Sequence, residues 1–211
     1  TATSPTTVYL AGTVTAAGTG VINLVGTSAT PVSVTANSTV GGTSTGQITL
    51  GAATLADNVT LTVGGGAYAA NITLSTVTGT ANGLSSDFTI NTTGTVSVGA
   101  VGTDIGTVTV TRSGGTAFNS TVSAATITLS DSTAASSITF SGNVTATSGL
   151  SAAGTANAYN VIFNGASNTI ASTTTLSNTG TVTLVSGSGS STFSGGVTAT
   201  TQSQVNIGGT I

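Results

Sequence analysis

The sequence predicts an all-β chain, a parallel β-solenoid (β-helix) of short stacked strands. Three observations lead there. Apolar–polar–apolar triplets recur along the chain, turns rich in Gly, Ser, Asn and Asp separate them, and one strand–loop–strand motif returns three times. Tandem antiparallel β-sandwiches are the alternative, because the same alternation suits them.

The triplets run in order as ITL (48–50), VTLTV (59–63), ITL (72–74), FTI (88–90), VSV (96–98) and VTV (108–110), then ITL (127–129), ITF (138–140), VTL (182–184) and VNI (205–207). Apolar residues do not recur at helical spacing, and Thr, Ser, Gly, Val and Asn are mediocre or poor helix formers. Each triplet turns its aliphatic residues inward and its Thr or Ser outward. Pro31 marks a turn near the end of the first strand group, since proline has no N–H for a central strand.

Residues 107–126, 126–147 and 181–200 share a strand triplet, a loop of variable length, and the string F-x-x-x-V-[ST]-A-x-T. Phe leads Val by four residues each time: Phe118 and Val122, Phe140 and Val144, Phe193 and Val197. Fainter echoes precede them, NVTL (58–61) against NITL (71–74) and TVSV (95–98) against TVTV (107–110). Recurrence at ~11–13 and ~19–23 residues suits two or three short strands per coil. With ~20 residues and ~4.8 Å of rise per coil, roughly ten coils would make a rod of ~50 Å. The few large side chains, Phe88, Phe118, Phe140, Phe163, Phe193, Tyr68 and Tyr159, are expected to stack inside it or plug its ends. Residues 1–211 read as one continuous β-repeat domain, weaker in 1–87 and stronger in 88–211.

Composition narrows the chemistry. The 211 residues include 50 Thr, 28 Ser, 22 Val and 30 Gly, with no His, Cys, Lys, Glu, Met or Trp. Asp57, Asp87, Asp104, Asp131 and Arg112 are the only charged side chains, for a net charge of −3. Metal or nucleophilic chemistry at His or Cys, a lysine Schiff base and a basic nucleic-acid surface are all excluded. Mean hydropathy of +0.44 with so little charge also argues against disorder. No run approaches the ~20 apolar residues of a membrane helix, so membrane insertion is not expected. The opening TATSPTTVYL has neither the basic nor the apolar region of a signal peptide, which points to a processed or excised segment.

The four Asp are the only acid–base candidates. Two carboxylates some 5–9 Å apart would be needed for glycoside hydrolysis. These lie 30, 17 and 27 residues apart in similar turn contexts and read as turn caps, so no enzyme is expected. No cofactor is expected either; a weak calcium ion held by one Asp and loop carbonyls is the one ion to consider. Outward T-x-T pairs stacked in a regular array would suit ice, but their near-random frequency and irregular spacing argue against one. Six N-x-[ST] sequons, at Asn37, Asn58, Asn71, Asn91, Asn119 and Asn143, are what composition alone produces. Arg112, after VTVT, is expected at a strand end beside Asp104 or Asp131.

At TFSGGVTAT (192–200), VNIGGTI (205–211) and FNGASNTI (163–170), the sequence resembles the β-strand repeats of large bacterial surface proteins. These are the passenger regions of autotransporters and filamentous-haemagglutinin-like adhesins, and the resemblance covers most of residues 88–211. It implies an exported, extended, non-enzymatic structure at the bacterial cell surface. The expected function is an extracellular structural protein, self-assembling head-to-tail into a filament by strand addition at its ends, or forming a rigid rod. The alternative is a stalk segment of a large adhesin that binds glycans, with Tyr68 or Tyr159 as a sugar platform. Nucleic acid is not an expected partner.

Overall fold

The computed structural model describes residues 6–25, 31–65, 68–81, 83–154 and 157–211. Among these there are 23 strands and no helix, and every strand pairing is parallel. The fold is a β-solenoid, and the antiparallel sandwich is set aside. The parallel pairing follows from the chain path: each strand bonds to the strand one coil on.

Three strands make a coil. The first coil holds β1 (Val8–Leu10), β2 (Thr13–Ala16) and β3 (Ile22–Leu24); the second holds β4 (Val32–Val34), β5 (Ser38–Gly42) and β6 (Ile48–Leu50). Then come β7 (Ala53–Leu55), β8 (Thr60–Gly64), β9 (Ile72–Gly79), β10 (Ser86–Asn91), β11 (Val96–Gly102), β12 (Ile105–Arg112) and β13 (Thr116–Phe118). The rest are β14 (Val122–Leu129), β15 (Ser137–Phe140), β16 (Val144–Ala152), β17 (Asn160–Phe163) and β18 (Ser167–Ile170), then β19 (Thr174–Leu176), β20 (Thr181–Val185), β21 (Ser190–Phe193), β22 (Val197–Ala199) and β23 (Gln204–Ile207). Strands β9, β11, β14 and β16 each run across a corner and pair on two faces. Counting these twice, each of the three faces stacks nine strands, the first face starting with β1, the second with β2 and the third with β3.

Nine coils replace the roughly ten expected, because corner loops stretch the coil. Equivalent positions are 26 residues apart at Ile22 and Ile48 but 19 apart at Val108 and Ile127. At ~4.8 Å per step, the first and last coils are about 38 Å apart.

Alternation sorts side chains as expected. Ile48, Ile72, Val96, Ile138, Val161 and Val182 stack in one interior column of the third face, interrupted by Thr116. The neighbouring column changes from Leu50, Leu74 and Val98 to Phe118, Phe140 and Phe163. The three rings lie flat on one another, with centroids 5.0 and 5.1 Å apart and planes within 3° and 9°. That separation is close to the strand spacing, so the rungs hold the rings in contact without bending the backbone. Phe88, Tyr68 and Tyr159 are also fully buried, and Phe193 is half-buried on the last coil.

The threefold motif takes a form that the sequence did not reveal. Phe118 and Phe140 close strands of the third face, and Val122 and Val144 open the first. Phe193 instead stacks on Ile170 of the first face, and Val197 opens the second. The third copy is therefore displaced by one face. All corners join one short strand to the next, so the same string serves different corners.

Close coil-to-coil approach fixes some glycines. Gly41 lies in register with Gly64, and a Cβ on Gly41 would overlap the Gly64 carbonyl oxygen. Pro31 directly precedes β4 and accepts a hydrogen bond from Val8 N at 3.1 Å.

Candidate functional site

The described structure offers two surfaces of interest: the ends of the stack and its outer faces. At the N-terminal end, β1, β2 and β3 each pair, among the described residues, on one side only, with β4, β5 and β6. At the other end β21, β22 and β23 pair on one side with β18, β19 and β20. Thr210 covers part of the β21 edge, accepting from Ser191 N at 2.9 Å and donating its own N–H to Gly189 O at 3.1 Å. The backbone edges of β22 and β23 have no partner among the described residues. Apolar groups lie exposed nearby: Tyr9 (71%), Val21, Val205, Ile207 (60%) and Ile211.

On the outside, the second face carries an unbroken hydroxyl column. Thr13, Thr39, Thr62, Thr89, Thr109, Thr128, Ser151, Thr175 and Thr198 follow one another in register, one per coil. The sequence steps between them vary from 19 to 27 residues, as at Thr109–Thr128 and Thr62–Thr89, so irregular spacing hides a regular array. The corners absorb every difference in length. No hydrogen bond within the described protein engages any of these nine hydroxyls.

The other two faces differ. Along the third face the central outward positions pass through Asn23, Thr73, Ala117 and Ile162, and side chains bond across coils, as Gln47 Nε2 donates to Thr73 Oγ1 at 3.1 Å. Tyr9, Ser33 and Thr54 begin the equivalent column of the first face.

Several sequon asparagines clamp one coil to the next. Asn37 Oδ1 accepts from Thr60 N at 2.9 Å, Asn71 Oδ1 from Thr95 Oγ1 at 2.8 Å, and Asn143 Oδ1 from Ser167 N at 3.0 Å. Asn119 Nδ2 donates to Ser97 Oγ at 2.9 Å. Sequence reasoning missed this role because the partner lies a whole coil away.

Of the four Asp residues expected as turn caps, Asp131 bonds its neighbouring amide in that way, whereas Asp87 lies inside β10 and bonds an amide one coil away. Asp87 Oδ1 accepts from Thr107 N at 2.8 Å, and Asp131 Oδ1 from Ser132 N at 2.8 Å and Asn157 Nδ2 at 3.2 Å. Asp104 sits in a left-handed turn at φ 64°, with Oδ2 buried and without a hydrogen-bond partner. Asp57 is exposed. No group of three or more carboxylates that could hold a metal ion forms among the described residues. Arg112 ends β12 as expected, but it is exposed and makes no ion pair with Asp104 or Asp131.

Tyr68 and Tyr159 cannot serve as sugar platforms, because both rings are buried. The Tyr159 hydroxyl shares its one proton between Leu129 O (3.1 Å) and Ala153 O (2.9 Å), and Tyr68 OH donates to Gly46 O. Burial, with the nearby Asp131 charge, raises the Tyr159 phenol well above its ordinary value near 10. Burial raises Tyr68 as well.

Buried amides join the last coils. Val144 N donates to Asn168 Oδ1 at 3.0 Å, Asn168 Nδ2 to Ser191 Oγ at 3.0 Å, and Ser191 Oγ to Leu184 O at 2.7 Å. Asn168 thus continues a column of valines on the first face, its polar atoms satisfied on both sides. Among the described residues no helix is long and apolar enough to cross a membrane. Comparison with protein-family models, curated proteins and solved structures returns no match to this chain.

Proposed function

We propose that the chain is a non-enzymatic structural unit of the bacterial cell surface, exported and stacked head-to-tail into a filament. The supporting observation is the pair of strand edges described above, without a further partner among the described residues at β1–β3 and at β22–β23, with exposed Val205 and Ile207 beside the second. Such edges are templates for a further strand, and proteins that avoid polymerisation usually place charge or proline there. The five charged side chains are all remote in sequence from these strands, so no like-charge repulsion opposes docking. In this reading Val205 of one subunit continues the column that Ile22 begins in the next. The backbone ladder and the aliphatic column then run on across the junction.

The test is a concentration series by sedimentation velocity on the chain and on Val205→Lys. Val205 is 40% exposed on the last coil, and circular dichroism checks that the variant keeps its strands. The chain is expected to form large species as concentration rises and the variant to stay small. Identical sedimentation of both as single subunits overturns the proposal.

A further inference from the structure

The free hydroxyl column of the second face is a second surface, independent of the ends. We propose that it binds ice, by ordering a layer of water that continues the crystal lattice.

Spacing is the first reason. In tetrahedral water, O–H···O separations of about 2.8 Å place second-neighbour oxygens about 4.6 Å apart. Parallel strands repeat at about 4.8 Å. The mismatch of ~0.2 Å per rung adds to only about 1.6 Å over eight steps, a third of one lattice period. Matched at its middle rung, the column is nowhere more than about 0.8 Å out of step with the crystal.

Preorganisation is the second. Threonine is β-branched and stiff at χ1, so adjacent rungs hold hydroxyl and methyl alike. With no hydrogen bond to the protein, every hydroxyl of the column is available to water. The third face lacks this property, since Gln47 and Asn119 side chains already occupy Thr73 and Ser97.

The third reason is charge. An ion imposes its own hydration shell and breaks a water lattice, and the column contains no ionisable group. Two charges flank it: Asp87, two residues before Thr89, whose Oδ1 is already bonded to Thr107 N, and the exposed Arg112, in register with Asn91 at the end of the strand that carries Thr109. On the same side as Asp87, at the column's middle, Thr107 and Thr126 add a short parallel row. Beyond them Gly149, which lies in register with Thr126, leaves a shallow depression lined by Ser148, Ser151, Thr173 and Thr175. Water filling it would meet hydroxyls on several sides.

The experiment is ice recrystallisation in the presence of the purified chain, with Thr109→Lys/Thr128→Lys and, as a control, Thr49→Lys/Thr139→Lys on the third face. Circular dichroism reports whether each variant keeps its strands. The chain and the third-face variant are expected to arrest crystal coarsening at similar concentrations. The second-face variant should need at least ten times more. Absence of any effect from the unaltered chain overturns the proposal whatever the variants do, as does equal loss from both faces. A second-face variant that abolishes side-by-side pairing of a chain with no effect on ice also overturns it, making the face a contact between copies.

Discussion

Thr116 stacks in register on Ile138, in a column otherwise built of Ile and Val, and its buried hydroxyl has no hydrogen-bond partner. Thr174, stacked between Leu150 and Val197, is in the same position one face away. A buried hydroxyl left unpaired costs about 1–3 kcal/mol, and removing it for an isosteric methyl recovers part of that. Thr116→Val and Thr174→Val should each raise unfolding stability by about 1 kcal/mol in denaturant melts. A loss of stability in both variants would show that water or a shifted carbonyl already satisfies these groups.

Phe140 is the middle ring of its stack, in contact with Phe118 and Phe163. Phe140→Ala leaves a cavity that rigid rungs cannot close, and should cost about 3–5 kcal/mol. Phe140→Leu restores the kind of column that the earlier coils use and should cost much less. Thermal melts of the two variants check the order; equal losses would mean that ring stacking, more than volume, holds these coils.

Stability should be flat through neutral pH and fall in alkali. Tyr159 keeps its proton more tightly when folded than unfolded. Its contribution is complete below the ordinary phenol value near 10 and is lost as pH rises beyond it. Tyr159→Phe should reduce this alkaline loss while lowering stability at neutral pH by about 1–3 kcal/mol, because Leu129 O and Ala153 O lose their donor. Melts between pH 7 and about pH 11 measure both effects.

The sequence was most legible where alternation is clean. All ten triplets read as strands are strands, from Ile48–Leu50 to Gln204–Ile207. First-face strands such as Ala53–Leu55 and Ser167–Ile170 were harder to see, because small or polar residues occupy inward positions there. Register was not legible at all. The pairing of Thr62 with Thr89 depends on corner geometry that loop lengths do not disclose, and the Thr column stayed hidden with it. Tyr68 and Tyr159 lie inside, as their size among so many small residues led one to expect, but the carbonyls that their hydroxyls anchor are set by the neighbouring coils and do not show in the sequence.

Unstained electron micrographs of the concentrated protein test the central reading most directly. Strand addition between nine-coil subunits should give continuous filaments with an axial repeat near 43 Å, nine rungs of about 4.8 Å each. Discrete rods of about 40 Å at every concentration would contradict it.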